Sequence, residues 1–334
     1  MTLNLDSALT QVVLLEDPTQ VGEARRTAQR LAEQLGFSTN DCGRVALVAT
    51  ELASNILKHA RQGYLHLRAL PELGGLELLG IDRGPGFDLY DCLPDGYSTR
   101  GTQGIGLGAV KRQSDVFDVY SDPRGSVVLA RFYHPKRVDC PVGISQHSLH
   151  DDPACGDTWQ LSLRSHAISA LVVDGLGHGP EAERAARAGC QAFLEQPFAD
   201  PTRVLEDMHS AMNGTRGGAA AIAQYDDRQG TLRFAGIGNI GACLVDPTRS
   251  RGMASHPGIV GVQFRRAQVF DYADARGQLL VMYSDGLQSR WNLMNYPGLV
   301  HRHPAIVAAV LHRDYSRGRD DVTVLVIALE AVNV

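Results

Sequence analysis

Two sets of residues in this 334-residue chain have types and spacings suited to phosphate chemistry. In the first half, Glu51 and Asn55 lie four apart in the run Glu51-Leu52-Ala53-Ser54-Asn55, so a helix projects both from one face. A carboxylate and a carboxamide there suit a hydrated Mg²⁺, which takes few protein oxygens beside phosphate, and they can orient a hydroxyl nucleophile. Asp82-Arg83-Gly84-Pro85-Gly86-Phe87 directly follows a strand-like run. An Asp at a strand end accepts a hydrogen bond from an adenine amino group, and the glycines let the backbone approach a flat ligand. The run from Gly101 to Gly108 (GTQGIGLG) opens a helix carrying Lys111 and Arg112. Backbone N–H groups at a helix N-terminus are suited to phosphate.

The second set is acidic. Asp157 follows Gly156, Asp174 opens the run DGLGHG, Asp285 sits in Ser284-Asp285-Gly286, and Asp320 and Asp321 precede Val322. One Asp-Gly is most simply a turn. Four acidic sites, each beside a β-rich run, are expected to converge, and converging carboxylates repel one another unless a cation neutralises them. Oxygen ligands without His or Cys partners favour Mg²⁺ or Mn²⁺ over zinc. Two such ions lower the pKa of a bridging water and aim it at phosphorus. His178 reads as a solvent-facing loop residue or a general acid, Asn239 as a turn former, and Trp159 and Trp291 as core or interface. His59, His301 and His303 read as surface.

The elements that must position these groups divide into two patterns. Residues 1–134 read as α+β: strand-like Leu3 to Leu15, a helix from Val21 to Leu35 stopped by Gly36, and a helix from Val45 to His59 with N-cap candidates at Ser38 to Asp41. Leu47, Leu52 and Ile56 are its expected apolar face. A hairpin of Tyr64–Leu70 and Leu76–Ile81, a loop from Asp82 to Gly104, a helix from near Ile105, and strands at Val116–Tyr120 and Ser126–Tyr133 complete the unit. HPKRVDCPVG, with two prolines and a charge cluster, reads as a linker, taken as 135–144. From 145 to 334, strands at 158–163, 167–173, 219–225, 231–237, 279–283 and 322–327 alternate with helices at 180–195, 201–212 and 304–312.

Composition excludes other classes. Hydrophobic residues are 44% and charged residues 21%, which is globular, and a net charge of −5 provides no field for nucleic acid. No apolar run approaches the ~20 residues of a membrane helix. Residues 1–15 lack the basic start of a signal peptide. The six cysteines, at 42, 92, 140, 155, 190 and 243, form no C-x-x-C pair and read as reduced thiols. The expectation is a soluble, cytoplasmic chain.

The order helix-E-x-x-x-N, strand-D-x-G-x-G, G-x-G-x-G-helix resembles the N, G1 and G2 boxes of the GHKL superfamily of ATP-binding domains, over most of residues 10–133. ELASNILKHA, without a histidine-phosphorylation domain, looks like the anti-sigma-factor and stressosome switch kinases, which phosphorylate Ser or Thr on STAS-domain proteins. The resemblance implies a Bergerat α/β sandwich in which Asn55 holds the Mg²⁺ of ATP, Glu51 acts as base and Asp82 reads adenine. It further implies that Gly84 and Gly86 shape the pocket, Gly104, Gly106 and Gly108 enclose the phosphates, and Ser126 supplies the hydroxyl that the family often takes from Thr.

Residues 145–330, with DGLGHG, AGIGNIG (Ala235 to Gly241), Pro257 to Gly261 and Asp320 to Thr323, resemble the PPM-type serine/threonine phosphatases, the SpoIIE and RsbX branch above all. That implies an α-β-β-α sandwich whose Asp174, Gly175 carbonyl, Asp285 and Asp320 hold two Mg²⁺ or Mn²⁺ ions. Asp157 joins the cluster, and Asp321, where larger relatives carry Asn, stands behind the ligands. The chain departs from the larger phosphatases it resembles in lacking an arginine clamp for substrate phosphate before Gly156. Arg164 and Arg216 are both candidates to substitute, and spacing does not choose between them. The leading expectation is a bifunctional α/β protein that adds and removes phosphate on STAS-domain or stressosome-like partners. An alternative keeps only the phosphatase, with the first domain a nucleotide sensor or docking module. γ-Phosphate transfer to a STAS partner separates the two.

Overall fold

The computed structural model describes residues 2–6, 9–88, 106–135, 137–263 and 266–331. The chain forms two compact units, one made of residues 8–140 and the other of residues 1–7 with 141–334.

The first unit contains β2 (Gln11–Leu15), α1 (Thr19–Gln34), α2 (Thr39–His59), β3 (Gly63–Leu70), β4 (Gly75–Asp82), α3 (Gly106–Gln113), β5 (Val116–Asp122) and β6 (Gly125–Tyr133). Its antiparallel sheet has the order β2-β3-β4-β6-β5. Strand periodicity of two sends Leu65, Leu67, Leu76, Leu78, Val128, Ala130 and Phe132 to one face, where they pack against Ala24, Ala28 and Leu31 of α1 and Val45, Val48, Leu52 and Ile56 of α2. The result is a two-layer α/β sandwich. α1 ends as its sequence requires: Gly36 takes the left-handed φ of +77° and the Phe37 N–H closes on the Ala32 carbonyl at 3.0 Å. α2 starts six residues before Val45, capped by Ser38, whose hydroxyl accepts the Asp41 N–H at 3.1 Å. Leu47 is 44% exposed, so the buried stripe runs through Val45, Val48, Leu52 and Ile56 and leaves Leu47 on the side of Glu51 and Asn55. On the other face of the sheet Glu77 is buried between two arginines, Arg68 at 2.8 Å and Arg131 at 2.6 Å.

The second unit contains β1 (Leu3–Asp6), β7 (Val142–His147), β8 (Asp157–Arg164), β9 (Ala167–Gly175), α4 (Pro180–Glu195), α5 (Pro201–Ala211), β10 (Gly218–Asp226), β11 (Thr231–Ile237), β12 (Gly241–Val245), β13 (Ser250–Gly252), β14 (Phe270–Tyr272), β15 (Leu279–Tyr283), α6 (Pro304–Tyr315) and β16 (Val322–Ala328). Two antiparallel sheets result, β1-β8-β9-β10-β11-β14 and β13-β12-β15-β16-β7. Phe193 of α4 and Leu205 and Met208 of α5 share a core with Leu171, Val173, Ala220 and Ile222 of the first sheet. α6 covers β7 and β16 of the second. This is the α-β-β-α order.

Three expectations change here. The strand-like run Leu3 to Leu15 is two strands in different sheets: β1 pairs with β8, Leu5 opposite Leu161, and so belongs with the second unit, not with residues 1–134. The linker at 135–144 is shorter, because β7 starts at Val142 and Arg131 binds back to Asp139 and to the Cys140 carbonyl, each at 2.9 Å. β12, β13 and β14 are short strands without a clear alternating pattern in the sequence. Among the described residues no helix is long and apolar enough to cross a membrane, and Cys42, Cys140, Cys155, Cys190 and Cys243 are free thiols. Cys92 lies outside the described residues.

Candidate active sites

In the first unit, β4 delivers Asp82 and α2 delivers Glu51 and Asn55, both half-buried. Two backbone N–H groups, from Gly84 at 2.7 Å and Ser126 at 3.2 Å, donate to one Asp82 carboxylate oxygen and fix its orientation. Ser126 is buried beside it. The glycines act through close approach: a Cβ on Gly84 would stand 2.9 Å from that of Ala60 at the end of α2, and one on Gly86 2.4 Å from the Asp122 carbonyl. Gly86 also needs its φ of +73°. Gly106, the first residue of α3, lies against the Asn55 carboxamide, 3.1 Å from where its Cβ would be. Arg44 ties the two helices at the other end, donating to the Gln113 carbonyl and to Asp115. Gly108 is buried within α3, while Gly104 lies outside the described residues.

In the second unit, antiparallel pairing explains how distant aspartates meet. Asp157 opens β8 and Asp174 nears the end of β9, and the two are direct partners. Asp285 follows β15 and Asp320 precedes β16, again adjacent antiparallel strands. Both pairs of strand ends fall together, because the Ser284 hydroxyl donates to Asp157 at 2.5 Å across the two sheets. Gly286 packs so tightly on the Asp321 carbonyl that a Cβ would come to 2.0 Å. Burial, with the charge of Asp174 beside it, pushes the Asp157 carboxyl well up. Burial and the charges of Asp285 and Asp320 push Asp174 up to about 7, and burial with Asp285 and Asp321 raises Asp320.

Asp321 plays a different part. Its two oxygens accept the Leu149 N–H at 2.7 Å and the Gly156 N–H at 2.6 Å, so it holds the turn before β8 in place. Asn239 is more than a turn former: its amide donates to Asp285 at 2.8 Å. The signal was available in Gly238-Asn239, which leaves a strand near the other acids, but only the fold puts it opposite Asp285. Of the two arginine candidates, Arg164 lies at the far end of β8 from Asp157, its guanidinium over the Phe198 ring at 4.0 Å. Arg216 lies over the loop at Gly177. Exposed His178 is close enough for its charge to act on Asp320. Trp159 is core, bonded to Gln146, His59 is exposed, and His303 caps α6 through the Ala305 N–H.

Among the described residues no three His, Cys, Asp or Glu side chains are already closed around one point. Mg²⁺ retains several waters and needs only one or two carboxylates, so an open cluster suits it. Carboxylates that raise one another's pKa fit a dication, which removes the repulsion that hinders their ionisation.

The Stage II sporulation protein E (SpoIIE) family matches residues 164–330, half the chain. The chain belongs to the SpoIIE family. The matched segment holds Asp174, Gly175, Asp285 and Asp320, and Asp157 precedes it. In this SpoIIE-family chain, residues 14–132 match the histidine kinase-like ATPase domain, spanning Glu51 to Ser126. The serine/threonine-protein kinase RsbT of Bacillus subtilis (strain 168) is 38% identical over 101 residues, 29% of this chain and 76% of RsbT. The phosphoserine phosphatase RsbX of the same organism is 23% identical over 137 residues, 40% of this chain and 67% of RsbX. A solved structure described as "The bacterial stressosome: a modular system that has been adapted to control secondary messenger signaling" is similar, with TM-score 0.52 and 28% identity, covering 55% of this chain and 97% of that one. The protein therefore joins a kinase-like ATPase domain to a metal-dependent serine/threonine phosphatase domain.

Proposed function

We propose that the second unit hydrolyses phosphoserine or phosphothreonine on STAS-domain or stressosome-like proteins, and that the first unit uses Mg²⁺-ATP to phosphorylate partners of the same class. The observation that carries the hydrolytic half is the meeting of Asp157, Asp174, Asp285 and Asp320 at one end of two sheets, burial and mutual charge resisting ionisation. Asp157, Asp174, Asp285, Asp320 and the Gly175 carbonyl hold two Mg²⁺ or Mn²⁺ ions in this reading. Such ions supply an activated water and charge neutralisation. The chain's own residues orient the ligands: Ser284 fixes Asp157, Asn239 fixes Asp285, and Asp321 holds the turn at Gly156.

For the kinase half, Asn55 holds the Mg²⁺ of ATP and Glu51 takes the proton of the attacking hydroxyl. Asp82, held by Gly84 and Ser126, reads the adenine amino group, and Gly84 and Gly86 keep the backbone close to the base. Gly104, Gly106 and Gly108 enclose the phosphates. The likeness to RsbT supports transfer rather than sensing. Release of p-nitrophenol from p-nitrophenyl phosphate with Mn²⁺ tests the first half. Transfer of γ-phosphate to a purified STAS protein tests the second, using the Asp174→Asn/Asp285→Asn double variant so that hydrolysis does not erase the product. Absence of turnover at every metal concentration, or of transfer with ATP bound, overturns the corresponding half.

A further inference from the structure

The turn around Val260 is pinned beside the acidic strand ends. In register, Asp174 stands opposite Ala219 and Gly175 opposite Gly218. Gly218 in turn exchanges both backbone hydrogen bonds with Val260, at 3.0 and 2.8 Å. Ile259 and Gln263 close a tight turn on each other at 3.0 and 2.9 Å, and the Gly261 N–H donates to His209 Nδ1 on α5 at 2.8 Å. Gly217 joins these pieces to the loop after β9. Its carbonyl accepts the Leu176 N–H at 2.9 Å, and it takes a left-handed φ of +69°. A Cβ there would stand 2.9 Å from methyl groups of both Ile259 and Val262.

This frame presents apolar side chains to water. Among the described residues of the second unit, three large apolar side chains are strongly exposed, Leu176 at 52%, Val262 at 58% and Met294 at 49%, and two of the three border Gly217. A single exposed apolar residue is ordinary, but two anchored at one glycine, with half-buried Ile259 beside them, form a preformed patch. Leu176 directly follows Gly175, so a protein chain that brings a phosphoserine to the acids comes close to it. Spacing then selects the contact. Paired backbones lie about 4.8 Å apart, and Val260 is two pairings from Gly175, a span of about 10 Å. An extended peptide advances about 3.4 Å per residue, so the span corresponds to two or three residues of substrate.

We infer that Leu176 and Val262 form a subsite for an apolar side chain two or three residues from the phosphorylated serine or threonine, and so determine specificity among protein substrates. The inference rests on the phosphatase reading. A charged side chain placed there would lose water without gaining a partner, so the subsite selects against it. The test uses the full chain with Mn²⁺ and phosphoserine nonapeptides built of alanine and serine. One leucine, or one aspartate, is moved from three residues before the phosphoserine to three after it. In the wild type, leucine at one of these positions is expected to raise kcat/KM about tenfold over alanine, the scale of burying the exposed part of one such side chain. Aspartate there gives no gain. In Leu176→Ser and in Val262→Ser the leucine preference falls to about threefold, and in the double variant it disappears. The alanine peptide, p-nitrophenyl phosphate turnover, Mn²⁺ affinity and melting temperature stay at wild-type values, which separates substrate selection from a structural role.

Equal rates for leucine and alanine at every position in the wild type overturn the inference, as does a leucine preference that survives in the double variant. A parallel loss of p-nitrophenyl phosphate turnover in Val262→Ser overturns it too, because the side chain then supports the acids and not the substrate's flank. If the wild type hydrolyses neither p-nitrophenyl phosphate nor any peptide, the phosphatase reading fails instead. Calorimetric titration of the leucine and alanine peptides into the Mn²⁺-loaded wild type and double variant then still decides whether the patch binds an apolar side chain.

Discussion

Asp285 and its partner Asn239 show what a single donor contributes. The Asn239 amide at 2.8 Å orients one carboxylate oxygen of Asp285. Asn239→Ala is expected to weaken Mn²⁺ binding about tenfold, the lower range for removing a group that orients a metal ligand, with little change in melting temperature. Titrating p-nitrophenyl phosphate turnover with Mn²⁺ measures it. A different residue contributes to the response to acid. His312 packs its ring on His147 at 4.2 Å and bonds the buried Ser145 through Nδ1 at 2.9 Å, and burial lowers its pKa from 6.5 to about 4. A folded pKa below the unfolded one means that the unfolded chain takes the proton first. The stabilisation that depends on neutral His312 is therefore full above pH 6.5, falls as pH drops from 6.5 toward about 4, and levels off below, while the raised carboxyls of Asp157, Asp174 and Asp320 act in the opposite sense. The melting-temperature difference between wild type and His312→Gln, measured at pH 7 and at pH 5, isolates the His312 share and should shrink at pH 5. At this scale the acids were legible as Asp-Gly pairs after apolar runs, whereas the bond from Asn239 to Asp285 was not, because it depends on a neighbour distant in sequence.

Elements act as carriers whose ends matter. β1 is an edge strand whose Leu5 is 5% exposed and whose Asn4 accepts the Ser162 hydroxyl at 2.7 Å. Removing residues 1–6 is expected to cost the second unit about 2 kcal/mol, the scale of burying one Leu, read as an earlier denaturant midpoint. In the first unit the α3 N-terminus lies on Asn55. Gly106→Ala would press a methyl group on that carboxamide from 3.1 Å, so Mg²⁺-ATP affinity is expected to fall about tenfold while α3 is not weakened, Ala being the better helix former. Nucleotide calorimetry beside far-UV circular dichroism checks both parts. Long, periodic elements were readable: β11 and β15 match their expected spans, and α4 does too. β1 was not, since four residues at a strand edge carry no signal of which sheet they will join.

For the whole molecule, two compact units with separate carboxylate and glycine sites predict separable losses. Asp174→Asn is expected to abolish phosphoester hydrolysis, a loss of at least about a thousandfold, without altering ATP affinity. Asn55→Ala is expected to weaken Mg²⁺-ATP binding and leave p-nitrophenyl phosphate turnover unchanged. Turnover and nucleotide calorimetry on both variants make the comparison, and a crossed effect would reveal coupling between the sites. The amino-acid order by itself determined the α/β class, most of the strands and helices, and the residue types of both sites. Local periodicity, glycine and proline punctuation and clustered acids are written along the chain. Tertiary structure alone decided that β1 leaves the first unit for the second, that Asp157 meets Asp174 while Asp285 meets Asp320, and that Arg164 lies at the far end of β8 from Asp157. The physical reason is that strand pairing and close backbone approach join residues separated by up to about half the chain, and no local pattern encodes which partner a strand end will meet.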